Sequence, residues 1–261
     1  MKTRIVPALH GARWIAEGWR LFRAAPFLWI GALVGCAALL TVVVRIPLIG
    51  AVLFAVLTPA LWAALMAVAR AAQGESAGSG GPVRELQRAA RPLALLGAIY
   101  LAANVAAVAA TIPFGQGLLA GWMLFGKVPS REALVSPAFL SDVALTMLFY
   151  LPAMFAFWFS PMLIAWHRMG AAKSLFFSIT ACFICWRAFS VYGLAAALAF
   201  FAVSAFVSAA GGMLVEGAGV APEIAMMAVL PVFVAYACVL VASVYACYRD
   251  VFDPQEVTIE T

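Results

Sequence analysis

Six apolar stretches, each long enough to cross a bilayer, run through this chain, and its basic residues lie almost entirely on one side of them. A hydrocarbon core about 30 Å thick takes roughly 20 residues of helix to cross. No water is present there to satisfy a backbone N–H or C=O, so a spanning segment bonds its own backbone as a helix. The stretches predict spans at about 27–44, 47–69, 93–112, 142–166, 191–211 and 223–247. The expected fold class is therefore all-α: a polytopic membrane protein of six transmembrane helices, forming one integral membrane domain over 1–261. Of its residues 66% are hydrophobic and 10% charged, against roughly 45–50% and about 25% in soluble domains.

Charge orients the spans. Lys2, Arg4, Arg13, Arg20 and Arg23 precede the first span. Arg70, Arg84, Arg88 and Arg91 lie in the second connection, Arg168, Lys173 and Arg187 in the fourth, and Arg249 in the tail. Only Arg45, Lys127 and Arg131 fall on the other side. By the positive-inside rule both termini are expected in the cytoplasm. A net charge of +5 placed beside spans points to anionic lipid at that face and not to nucleic acid. The basic, amphipathic start carries no cleavage-site pattern, so no cleaved signal peptide is expected. The five cysteines lie in or near spans, where a disulfide framework is not expected.

A helical segment is expected at the surface before each odd-numbered span. Over Arg13 to Ala25, Trp14, Ile15, Gly18, Trp19, Leu21 and Phe22 share one helix face, and Arg13, Glu17, Arg20 and Arg23 take the other. Such a helix lies in the interface, its Trp rings at headgroup level and its Arg reaching phosphates, until Pro26 breaks it. Val83 to Arg91 repeats this with Arg84, Arg88 and Arg91 on one side, and Pro92 is expected to end it. Ala171 to Arg187 keeps only Lys173, Thr180 and Arg187 as a polar stripe. The chain thus reads as three copies of surface helix, span, span. Pro47 is suited to start the second span. The Gly-Ser-rich run 73–81 reads as a linker, the tail after Tyr248 as mobile, and 118–125 as an external interfacial segment.

The block Gly11-Ala12-Arg13-Trp14-Ile15-Ala16-Glu17-Gly18-Trp19-Arg20-Leu21-Phe22-Arg23-Ala24-Ala25-Pro26 resembles the opening of an uncharacterised family of bacterial six-span inner-membrane proteins. Pro161-Met162-Leu163-Ile164-Ala165-Trp166-His167, followed by Lys173-Ser174-Leu175-Phe176-Phe177-Ser178, is similar to that family's middle signature. Ala188 after Arg187 departs from it, since the family tends to have Asn there. The layout also looks distantly like the membrane domain attached to some glycerophosphodiester phosphodiesterases. The resemblance implies a bacterial inner-membrane location and brings no activity.

Chemistry is sparse. Arg45, Asp142, Glu223 and the pair His167-Arg168 sit near span ends, where they read as boundary anchors. Asn104, Thr58, Thr146, Ser204 and Ser208 are the polar groups at depth, and such side chains commonly bond between helices. Pro59, Pro152, Pro161 and Pro231 each remove a backbone bond inside a span, and kinks of this kind also open cavities. Gly31 and Gly35, Ala102, Ala106 and Ala110, and Ser204 and Ser208 form small-residue seams, which intramolecular packing explains. Homodimerisation is the sharper alternative. Cys182 and Cys185 have redox or zinc spacing but no second pair.

No catalytic residue, metal site or cofactor is expected. The favoured reading is a non-catalytic membrane protein that binds a membrane partner or anionic lipid. Its surface candidates are Arg13, Trp14, Trp19, Arg20, Arg23, Arg84, Arg88, Lys173 and Arg187. The alternative is a channel or carrier for a neutral or lipophilic molecule, with Asn104, Pro152, Pro161 and His167 as intramembrane candidates. An intramembrane enzyme with dispersed polar residues is the third.

Overall fold

A computed structural model describes residues 4–46, 49–74 and 81–252. Among the described residues eleven α-helices follow in order: α1 (His10–Ala24), α2 (Pro26–Val44), α3 (Gly50–Ala72), α4 (Gly81–Ala109), α5 (Thr111–Phe114), α6 (Leu118–Phe125), α7 (Arg131–Leu134), α8 (Pro137–His167), α9 (Ala171–Ile184), α10 (Trp186–Gly212) and α11 (Pro222–Phe252). A π-helical turn, Met213–Gly217, extends α10. Among the described residues there is no strand, and α2, α3, α4, α8, α10 and α11 are the six helices long and apolar enough to span a membrane. The chain is an all-α polytopic membrane protein.

Several boundaries differ from the expected ones, each for a local reason. Pro47 lies outside the described residues, and the second span's helix begins at Gly50. Pro92 does not end the second surface segment; α4 runs through it, so surface segment and span are one helix. The proline deprives only the Arg88 carbonyl of its partner, on a residue exposed at the polar end of the helix, where the loss is cheap. The third segment stops at Ile184 and Cys185 forms the break, so Arg187 belongs to the spanning helix α10. Pro26 does what its chemistry demands, opening α2 after Ala25 leaves helical geometry (φ −148°, ψ 62°). The linker stretch 75–80 and the tail from 253 onward lie outside the described residues.

The described helices divide into two compact units interleaved in sequence. The first takes Met1–Leu39, Ala64–Pro82 and Ala181–Thr261. Here α1 packs on α10 and α11, and two glycines make the approach close. A Cβ on Gly11 would stand 2.6 Å from the Tyr192 backbone nitrogen, and one on Gly18 would stand 2.5 Å from the Val239 carbonyl oxygen. Trp14 lies between them on the same face, 2% exposed, with ring centroids 5.4 Å from Phe189 and 5.8 Å from Tyr192. The expectation that Trp14 meets headgroups is thereby corrected: its face of α1 is covered by protein. Trp19, 48% exposed, lies outside that contact.

The second unit takes Leu40–Ala63 and Val83–Thr180. Its core gathers Ala89, Leu93 and Leu96 of α4 with Ile164 of α8 and Ala171 of α9. Gly97 lets α4 approach α3, since a Cβ there would stand 2.6 Å from Val56 Cα. Asp142, fully buried, holds α6: it accepts from the Gln116 amide at 2.7 Å and the Leu119 amide at 3.1 Å. A helix start leaves its first N–H groups without partners, and this carboxylate supplies them from α8. Asp142 is therefore a cap as well as a charge near a span end.

The Gly31–Gly35 seam is a further correction. Among the described residues, a Cβ at either glycine would meet nothing within 4 Å, so no packing between them accounts for this seam.

Candidate functional site

The polar site grows from the segment before α1. The Arg4 amide donates to the Val251 carbonyl at 3.1 Å, and the Cys185 thiol donates to the Arg4 carbonyl at 3.3 Å. The first ties the start of the chain to the end of α11, and the second ties it to the break between α9 and α10. Helix α1 brings neither an N-cap side chain nor an acidic residue in its first turn, and Asp250 of α11 supplies the missing negative charge. One of its oxygens accepts from the Trp14 indole N–H at 2.8 Å and meets His10 Nδ1 at 2.8 Å.

The other nitrogen of the His10 ring, Nε2, lies 3.3 Å from an Arg13 guanidinium nitrogen. A guanidinium only donates, so in this arrangement Nε2 accepts and the ring proton sits on Nδ1, aimed at Asp250. The resulting cleft, about 230 Å³, is bordered by Arg4, Arg13 and Arg249, with Glu17, His10 and Asp250. Its carboxylates are already engaged, Glu17 by Arg20 and Asp250 by Trp14 and His10. Arg249 reaches the Gln73 side-chain oxygen.

The aromatic site is in the second unit, where α3, α4 and α8 border a cavity of about 290 Å³. Pro59 and Thr58 line it from α3 and Pro161 from α8, so two helices each lack one backbone N–H at its wall. Tyr150 donates its hydroxyl to that of Tyr100 at 3.1 Å, and the rings meet edge to face at 6.4 Å. Asn104 donates to the Tyr100 carbonyl at 2.7 Å.

A turn before Pro161, the Ser178 hydroxyl of α9 accepts from the Phe159 amide at 3.0 Å and donates to the Phe155 carbonyl at 2.7 Å. Those two backbone groups are four residues apart, the pair an α-helix joins directly. Ser178 therefore bridges the ladder of α8 beside the proline, a recognised cause of helix distortion.

The other expected residues are placed as follows. Arg20 pairs with Glu17, and Arg23 is exposed at the end of α1. Arg84 and Arg88 are exposed on α4, opposite Ala89 in the core. Lys173 is exposed on α9 with its ammonium 6.0 Å from the Phe177 ring, and Arg187 stacks 5.5 Å from the Trp186 ring. Asn104 and Pro161 are drawn into one neighbourhood, whereas Pro152 is exposed on α8 and His167 ends that helix.

Sequence reasoning missed His10, Asp250, Tyr100 and the bridging role of Ser178. The one available signal was Asp250, an acidic residue ending the last span where a basic one suits the helix dipole.

Cys182 and Cys185, outside the spans, are buried thiols. Burial pushes both up from the ordinary thiol range; the neighbouring Cys185 adds to this at Cys182, and Asp250 adds to it at Cys185. Neither is poised as a thiolate nucleophile or ligand.

Fold and site together define a polytopic α-helical membrane protein with a charged terminal face and an aromatic intramembrane cavity. Over 267 aligned residues the chain is 31% identical to a probable inner membrane protein of Burkholderia thailandensis, covering 96% of this chain and 94% of the relative. It belongs to that family of inner-membrane proteins. No family profile matches it, and no solved structure does. The distant likeness to a phosphodiesterase-attached domain is carried by neither the relative nor the geometry.

Proposed function

We infer that this is a non-catalytic inner-membrane protein that holds the phosphate of an anionic lipid headgroup at its cytoplasmic face. The observation that carries the reading is the cleft bordered by Arg4, Arg13 and Arg249. A guanidinium has five N–H donors in a planar fork that matches phosphate oxygens. Arg13 directs one donor to His10, which leaves others for a ligand, and Arg249 adds positive charge at the cleft while bonded to Gln73. The asymmetry of Lys and Arg about the spans supports a cytoplasmic placement for this face and both termini, where anionic lipids attract basic groups. Arg20, Arg23, Arg84, Arg88, Lys173 and Arg187 extend the attraction without forming the cleft.

The test is retention of phosphatidylglycerol against phosphatidylcholine, read by native mass spectrometry from nanodiscs of mixed composition. Removing two surface-facing guanidiniums, Arg4→Ala with Arg13→Ala, removes about 2 kcal/mol of headgroup attraction. Phosphatidylglycerol retention is expected to fall roughly thirtyfold and phosphatidylcholine retention to stay level. Undiminished phosphatidylglycerol preference in a variant that still unfolds at the parent temperature overturns the reading.

A further inference from the structure

We propose that the cavity bordered by α3, α4 and α8 binds a neutral, lipid-soluble molecule carrying a carbonyl oxygen, with the Tyr100 hydroxyl as the hydrogen-bond donor to that oxygen. At about 290 Å³ the cavity stands at the lower edge of small-molecule sites, which run roughly 300–1,000 Å³. Its border includes the rings of Trp62, Phe157 and Trp158, faces that suit a flat apolar body. No side chain on that border carries a charge, so an ionic ligand would be desolvated without compensation.

The polar element is directional. Asn104 holds the Tyr100 backbone carbonyl, and the Tyr150 hydroxyl donates to that of Tyr100. Tyr100 thus accepts a hydrogen bond through its oxygen, and its own hydroxyl proton is left to donate. In a lipid interior water is not there to take it, and a hydroxyl without an acceptor is costly. A ligand with an acceptor oxygen satisfies that donor, whereas a hydrocarbon chain does not.

The wall supplies an independent observation. Pro59 and Pro161 interrupt two facing helices at the cavity, and Ser178 bridges the α8 ladder one turn away. Interrupted backbone at membrane depth is tolerated where it is enclosed by protein or lines a cavity, the arrangement in which membrane proteins build ligand sites.

Benzophenone is a suitable probe, being a neutral lipid-soluble ketone that attaches covalently on illumination. On excitation its carbonyl carbon takes a hydrogen-bearing C–H carbon as partner: the C–H hydrogen passes to the ketone oxygen, and the two carbon radicals join, so no further reactant is needed. The protein in nanodiscs is labelled over a concentration series and the attachment sites are read by peptide mass spectrometry. Saturable labelling on the cavity border, Met154 included, is expected.

Tyr100→Phe keeps the ring and removes the donor, and the half-saturating concentration should rise about five- to tenfold. Tyr150→Phe leaves Tyr100 its proton and should keep the parent value within about twofold. Labelling spread without saturation along the lipid-facing surfaces of α2 and α10 overturns the proposal. Saturable cavity labelling that Tyr100→Phe leaves unchanged also overturns it, and assigns the cavity to an acyl chain.

Discussion

Trp14 and Asp250, 236 positions apart in the chain, meet at 2.8 Å through the indole N–H and a carboxylate oxygen. The contact fastens α1 to α11 at the end where α1 lacks a cap of its own. An interface helix resting on lipid would have no use for such a bond. Here the helix is seated in protein by a buried ring, two glycines and one carboxylate.

Asp250→Ala removes the acceptor for a nearly buried indole N–H, and an orphaned donor of that kind costs about 1–3 kcal/mol. Trp14→Phe with Asp250→Ala should cost less than the two single changes added together, because the second change removes the orphan left by the first. Thermal unfolding of the four proteins in one detergent measures the coupling. Strict additivity would show that the bond contributes nothing.

Gly18 and Gly31 should respond in opposite ways to alanine. At Gly18 the new methyl meets the Val239 carbonyl and the Ser243 backbone nitrogen, neither of which can swing aside; a loss of about 1–3 kcal/mol is expected. At Gly31 the methyl meets nothing, and the monomer's unfolding temperature should hold or rise. Equal losses at both positions would contradict the packing of α1 against α11.

Asp142→Ala should loosen α6. With the carboxylate gone the Gln116 and Leu119 amides lose their acceptor, at a cost of about 0.5–2 kcal/mol for a lost cap. Amide exchange should quicken over 115–125 first, while α4 keeps its protection. The reverse order would contradict the cap.

Cys182 and Cys185 should react slowly with maleimide in the folded protein and quickly once it is unfolded. Burial raises both thiol pKa values in the folded state above the pH at which an exposed thiol ionises. Below that pH both states keep the thiol proton and stability is unaffected. Above it the unfolded chain ionises first, so the folded state binds more protons and stability falls as pH rises. Rapid labelling of either folded thiol at pH 8 would contradict this burial.

The spans were legible because hydropathy is a one-dimensional signal: a run of apolar residues needs no knowledge of its neighbours to be read as a crossing helix. Pro26 was legible for the same reason, acting on its own backbone. Pro92 misled, because a proline's effect depends on whether the carbonyl four residues back has another partner. Pairings were hidden altogether. Nothing in the sequence near Tyr100 names Tyr150, and Ser178 gives no local sign that it bridges Phe155 and Phe159 on another helix. Trp14 carried the pattern of an interfacial ring since amphipathic periodicity tells which face is apolar without telling what covers it. Asp142 read as a boundary charge because its burial depends on α6 folding back over α8.

The seating of α1 also sets an order of events during synthesis. This helix is among the first segments made, while the surfaces that receive it, on α10 and α11, come last. At translation speeds of about 5–20 residues per second, on the order of 10–50 s separate Trp14 from Asp250. Through that interval the glycine face of α1 has only the membrane surface to rest on, and docking waits for the final span. A chain halted before α11 has all its earlier helices but never closes over Trp14, so docking of α1 reports that α11 has been made and inserted.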